Sequence, residues 1–188
     1  MDSNTEMVNY LEREGFIQSE RVEKAFKNVD RADFINTDPY VDRPQRLAED
    51  STISAPHMVA VMVEALNPRG KVLEMGSGSG YMMAVLSELA DEVVGVERIE
   101  ELVEASKERV PEARVIHGFQ VPDEVFDSII YSFAASEEEV RNAQSKTGAE
   151  KVVAPIQMAS GQKLYRFENG EKVELSDVRF VLRKEGTI

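Results

Sequence analysis

Residues Val72-Leu73-Glu74-Met75-Gly76-Ser77-Gly78-Ser79-Gly80-Tyr81 decide the fold. A short apolar run reaches an acid, and three glycines then alternate with serines. The pattern predicts a strand that breaks into a glycine turn, followed by a helix from Met82 to Ala90. Backbone without side chains can lie flat against a ligand. A dinucleotide fingerprint, G-x-G-x-x-G, needs a third glycine where this chain has Tyr81 or Met83. The Lys and Ser/Thr that close a phosphate-cradling loop are also missing. What remains is E-x-G-x-G-x-G. An acid at the strand end is a poor neighbour for phosphate and a good one for a cation. S-adenosylmethionine, with a sulfonium, an amino group and no phosphate, fits that chemistry. A bare strand-to-helix corner is the competing reading.

Glu92-Val93-Val94-Gly95-Val96-Glu97 reads as a second strand ending in an acid, 21 residues after Gly76. In βαβ nucleotide folds an acid at about this distance hydrogen-bonds the ribose hydroxyls. Two acids at adjacent strand ends would then face one crevice. The bland alternative for Glu97 is a solvated charge, and its place directly after an apolar run argues against that.

Composition narrows the classes. A chain of 188 residues can bury a sizeable core as one domain. A formal net charge of −13, with no Lys/Arg cluster, argues against a sequence-independent nucleic-acid binder. Cysteine is absent and the two histidines, His57 and His117, are far apart, so neither disulfides nor a thiolate or histidine metal site is expected. No apolar run approaches a membrane span, and the polar, acidic N-terminus is unlike a signal peptide. The expectation is a cytoplasmic protein with no membrane or nucleic-acid partner.

Along the chain, Ser3-x-x-Glu6 resembles a capping box and opens a helix that Gly15 ends. Ser19 caps a second helix, with Val22, Ala25, Phe26 and Val29 at helical spacing. Residues 38–50, with Pro39 and Pro44, read as a loop. Pro56 suits a first helical turn, and a buried helix follows to Leu66. Further on come a helix from Ile99 to Val110, strands at 114–117, 126–133 and 151–156, and an acidic helix capped by Ser136 and ended by Gly148. Two final strands flank Asn169-Gly170, a hairpin signal. Strands alternating with helices predict an open α/β sheet with right-handed crossovers.

Glu74 to Gly80, Glu97 and the closing hairpin resemble a class I S-adenosylmethionine-dependent methyltransferase. Thr52-Ile53-Ser54-Ala55-Pro56-His57-Met58 narrows the resemblance to the protein-L-isoaspartate O-methyltransferase family. Val29-Asp30-Arg31, Pro39 to Gln45, Val96 to Ile99, Phe126 to Ile130 and Val178 to Val181 agree with it, so the likeness spans nearly the whole length. It implies a Rossmann-like domain over residues 1–188, with a helical cap and loop (1–50), a cofactor-binding α/β core (51–188), a mostly parallel sheet with helices on both faces, and a C-terminal β-hairpin. It also implies S-adenosyl-L-methionine as cofactor, S-adenosyl-L-homocysteine as product, and isoaspartyl residues of damaged proteins as methyl acceptors. Ser54 matches the family's active-site serine. Thr52, Ser54 and Val181 would face the acceptor. Thr52, Glu74, Gly76, Ser77, Gly78, Gly80, Glu97, Arg98, Gly118 and Phe119 would hold the cofactor. Thr52 and Ser54 also suit plain capping of the following helix. His57 reads as a packing residue at the helix start and His117 as a strand-end residue.

Four departures surround the pocket. Leu47-Ala48-Glu49-Asp50-Ser51 carries two acids and no glycine before Thr52. Gly118-Phe119-Gln120 replaces the family's Gly-Asp-Gly, whose Asp contacts adenine. Tyr131-Ser132-Phe133 makes a bulkier rim than the family's small residues. Val181-Leu182-Arg183 stands for Val-Pro-Leu. The link from Gly118 to Val125 is short for a crossover. These changes keep two alternatives open: a related methyltransferase with another acceptor, and a non-catalytic binding module on the same fold.

Overall fold

The structure is a computed structural model and describes residues 1–48 and 51–182. Two helices lead, α1 (Asn4–Arg13) and α2 (Glu20–Asn28), with a 3-10 turn at Arg31–Asp33. Ser3 accepts from the Glu6 N–H and Ser19 from the Val22 N–H, as their N-cap positions predict. The reciprocal bond at α1 falls one residue early, with Glu6 accepting from the Asp2 N–H at 2.7 Å.

The segment 38–50 is not wholly a loop. A short antiparallel pair forms there, β1 (Gln45–Arg46) against β2 (Thr52–Ile53). Glu49 and Asp50 lie outside the described residues. Helix α3 (Pro56–Leu66) then begins with Pro56 at its first turn. Neither Thr52 nor Ser54 caps it, because its N-cap is Ala55 and no side chain there accepts a bond. Asp42 fills that role from a distance, accepting the His57 N–H at 3.0 Å.

The core continues with β3 (Lys71–Met75), α4 (Tyr81–Ser87), β4 (Glu92–Glu97), α5 (Glu100–Arg109), β5 (Arg114–His117), β6 (Ser128–Tyr131), α6 (Glu137–Thr147), β7 (Lys151–Met158), β8 (Gly161–Glu168) and β9 (Glu171–Val178). These strands form one sheet in the order β5-β4-β3-β6-β7-β8-β9. The first five are parallel to their neighbours, and β8 and β9 add as an antiparallel meander. Asn169 and Gly170 both have positive φ, 53° and 80°, as a two-residue hairpin turn of the I′ kind requires.

Adjacent strand residues point to opposite faces, and the sheet uses both. Val72, Val93, Ile130 and Val153 join the helices α1 to α5 in one apolar cluster. Leu73, Val94, Ile129 and Val152 join α6 and β8 in the other. The leading helices place Met7, Val8, Leu11, Val22 and Phe26, all nearly or fully buried, in the first cluster.

The chain reverses at β3. It runs β3, β4, β5 toward one edge and then returns to place β6 on the other side of β3. The returning link, residues 118–127, has no helix. Glu124 ties it beneath the strand starts: Arg114 donates to Oε1 and Oε2 at 2.7 and 2.6 Å, and Lys71 Nζ donates to Oε2 at 2.9 Å. Lys71 also pairs with Glu92 and lies 5.3 Å from the Phe126 ring centroid. One carboxylate thus clamps the starts of β3 and β5 where a crossover helix would ordinarily cover them.

Hydrogen bonds from Arg114 and then Lys71 hold the Glu124 carboxyl down at about 2, against 4.5 unperturbed. A depressed folded-state pKa stabilises above the unfolded value and loses that stabilisation as pH falls through the folded one. Glu124→Gln is therefore expected to lower the melting midpoint at pH 7. Melting curves of variant and parent should converge as pH falls from about 4.5 toward 2.

Candidate active site

The reversal at β3 opens a crevice at the carboxyl ends of the strands, the usual ligand position in open α/β sheets. A cavity of about 380 Å³ occupies it. Every strand end around the reversal contributes. Met75 and Gly76 follow from β3, Val96 to Ile99 from β4, Gly118 and Phe119 from β5, and Ser132 and Phe133 from β6. Ser51, Thr52, Val181 and Leu182 complete the wall.

The glycine turn is built to hold an unusual backbone. Gly76, Gly78 and Gly80 have φ of 85°, 55° and 87°, the left-handed region that side chains disfavour. Gly76 also has no room for a Cβ, which would sit 2.9 Å from Phe133 Cδ1. The turn is tied from several elements. Val96 O accepts from the Gly76 and Ser77 N–H groups, and Ser106 of α5 donates to Gly78 O at 3.0 Å. Glu97 Oε2 accepts from the Gly78 N–H at 2.9 Å, while its Oε1 accepts from Arg98 and Ile99 N–H at 2.9 and 3.0 Å. Three donors leave this carboxylate about one further acceptor position.

Glu74 is the second acid, and it is buried behind the cavity wall. Its Oε1 accepts from Ser132 Oγ at 2.8 Å, and its Oε2 has no hydrogen-bond partner among the described residues. Burial drives its pKa up to about 8, opposed by the Ser132 bond and assisted by the negative charge of Glu97. An orphaned carboxyl oxygen beside a side-chain-free turn fits a ligand whose cationic group would draw that carboxyl back to its ionised form.

The structure divides the residues predicted from sequence. Thr52, Gly76, Glu97, Arg98, Gly118, Phe119 and Val181 line the cavity. Ser77, Gly78, Gly80 and Glu74 stand behind it and shape the turn. Ser54 faces a second cavity of about 440 Å³, together with His57, Met58, Asp177, Arg179 and Phe180, and Thr52 borders both cavities. His57 packs as expected, 2.8 Å from Asp42 Oδ1 through Nδ1 and 5.2 Å from the Phe16 ring. His117 ends β5, with Nε2 3.0 Å from Arg98 O. Sequence reading placed Ser132 and Phe133 on a bulky pocket rim, where the structure has them, but left the Ser132 bond to Glu74 unseen. Their position directly after the fourth apolar strand, opposite the glycine turn, was the signal available.

A parallel sheet reversing at a glycine turn, with acids ending β3 and β4 and no phosphate-binding side chains, defines a class I, Rossmann-like methyltransferase. Comparison with known proteins narrows this. A family model described as Protein-L-isoaspartate(D-aspartate) O-methyltransferase matches residues 2–182. Proteins named protein-L-isoaspartate O-methyltransferase from Pyrobaculum islandicum and Methanopyrus kandleri are 35% and 36% identical to the chain, covering 94% and 90% of it and 95% and 83% of themselves. The crystal structure of a Plasmodium falciparum protein described by the same enzyme name, in complex with S-adenosyl-L-homocysteine, superposes with a TM-score of 0.84. It is 29% identical and covers 99% of this chain and 100% of its own. The chain belongs to the protein-L-isoaspartate O-methyltransferase family.

A carboxyl whose folded pKa is raised lends stability below its unfolded value and loses it as pH climbs through the folded value. For Glu74 that window runs from 4.5 to about 8. Glu74→Gln removes the buried charge, so the variant is expected to melt several degrees above the parent at pH 8.5. Each kcal/mol moves the midpoint of a domain this size by about 2–4 °C. The difference should vanish near pH 4.5, which differential scanning calorimetry can check.

Proposed function

We propose that the protein is an S-adenosylmethionine-dependent protein-L-isoaspartate O-methyltransferase that esterifies the free carboxylate of isoaspartyl residues in damaged cytoplasmic proteins. The observation that carries this reading is Thr52, which borders the strand-end cavity on one side and the Ser54 cavity on the other. A cofactor and a peptide acceptor can then meet across one residue.

S-adenosylmethionine would supply a methyl group activated by its sulfonium. Glu74, held near neutrality by burial, would ionise beside the cationic end of such a ligand. Ser132 carries the preference for a cation to the cavity surface, because its hydroxyl proton is donated to Glu74 and its lone pairs remain free to accept. Glu97 has acceptor capacity left for a ribose hydroxyl. Gly118 and Phe119 offer an adenine ring a flat, apolar seat without the family's acidic contact. Gly76, with Ser77, Gly78 and Gly80 behind it, lets the ligand approach the backbone.

On the acceptor side, an isoaspartyl carboxylate is already ionised at neutral pH. No general base is needed, so the His57–Asp42 pair beside the Ser54 cavity has only to pack and cap the helix start. Catalysis rests on holding the acceptor oxygen in line within a site shielded from water. Ser54 and Thr52 orient that oxygen, Val181 closes the rim, and Arg179 and Asp177 place one charge of each sign beside the Ser54 cavity.

The test is transfer of a labelled methyl group to an isoaspartyl peptide and to its aspartyl twin. Base-labile label is expected on the first and none on the second. Label on neither peptide, at high enzyme and cofactor, would overturn the acceptor assignment. Ser54→Ala is expected to reduce transfer by at least tenfold while leaving S-adenosyl-L-homocysteine binding within about twofold, the loss of one positioning contact being on the order of a kcal/mol or more.

A further inference from the structure

The rim that follows β6 differs from the small residues of the family, and its ring both packs against the core behind it and lines the cavity. Phe133 is half-buried and lines the strand-end cavity between Gly76 and Ser132. Its Cδ1 lies 2.9 Å from where a Gly76 Cβ would be, so the ring covers the open side of the glycine turn. Tyr131 steadies it in an edge contact, with centroids 5.5 Å apart and planes at 81°. The neighbouring Ser132 is the residue that holds Glu74. The ring therefore stands beside the most cation-seeking part of the cavity.

We propose that Phe133 is a cofactor-discriminating residue, whose ring face takes the sulfonium charge of S-adenosylmethionine and thereby disfavours the uncharged thioether of S-adenosyl-L-homocysteine. The inference rests on the methyltransferase reading above. A desolvated aromatic face attracts a cation through its quadrupole and offers a neutral sulfur no such attraction. The two ligands share their adenosine and amino-acid parts, so Glu97, Phe119, Glu74 and the glycine turn serve both equally. Only a group sensitive to the sulfonium separates them. Glu74 cannot do so alone, since both ligands carry the ammonium that its carboxyl would meet.

The experiment is isothermal titration of both ligands into the parent, Phe133→Leu and Phe133→Tyr. Leucine keeps the apolar bulk and removes the quadrupole, and tyrosine keeps both. Phe133→Leu is expected to weaken S-adenosylmethionine binding about three- to tenfold while S-adenosyl-L-homocysteine binding stays within twofold. Phe133→Tyr is expected to hold the parent's ratio. Equal weakening of both ligands by Phe133→Leu, or no change in either, would overturn the proposal and leave the methyltransferase reading standing. Failure of the parent to bind either ligand would instead overturn that reading. Thermal melts of the three proteins, matched within a few degrees, separate lost binding from lost folding.

Discussion

The Glu97 carboxylate is the constraint on which the site depends. It ends β4, and it accepts the N–H groups of Gly78, Arg98 and Ile99. One acceptor pair thereby fixes the glycine turn after β3 to the start of α5. Hydrogen bonds to a charged group contribute about 1.5–3 kcal/mol each, and here they add to the Val96 and Ser106 bonds that hold the same turn. The turn has three residues in left-handed conformations and few side chains of its own. Without Glu97 the Gly78 N–H would be buried and unpaired. The carboxylate is thus a structural tie before it is a ligand contact, and its remaining acceptor capacity is what a ribose could use.

This order of roles explains what could be read from sequence and what could not. The glycine turn, the acids at the ends of β3 and β4, and the Asn169-Gly170 hairpin were legible because each rests on local chemistry: φ values, strand period and turn type. The Thr52 to His57 string was legible as a likeness, but its geometry was not. Its β2 strand pairs with Gln45-Arg46, and its helix is capped by Asp42 from fifteen positions upstream. The Glu124 clamp was equally hidden. It joins Lys71 and Arg114 across 53 and 10 positions, and nothing local marks Glu124 out from a chain rich in solvated acids. The short link after β5 did give a signal, since the stretch from Gly118 to Val125 falls below the usual length of a crossover.

The two site acids show how burial divides similar side chains into different tasks. Glu97 meets three donors, and its charge is answered by backbone. Glu74 meets one hydroxyl, has an orphaned oxygen, and is pushed toward neutrality with a pKa near 8. The first arrangement stabilises the fold and the second costs it. A buried carboxyl with an unmet acceptor costs stability, and a partner from outside the folded chain would relieve that cost. The cavity beside Gly76 and Ser132 is where that partner would enter.

Thr52 carries the argument from cofactor to acceptor. A residue on the short β2 strand is exposed on both sides because β2 belongs to no larger sheet. Its neighbours alternate, with Ile53 buried in the core and Ser54 turned to the second cavity. The Ser54 carbonyl is held in turn by Arg31 Nη2 at 2.8 Å, from a guanidinium that is fully buried and lies 4.8 Å from the Tyr81 ring centroid at the start of α4. The Thr52–Ser54 segment and the helix that follows the glycine turn therefore rest on the same buried side chain, which ties the wall between the two cavities to the turn.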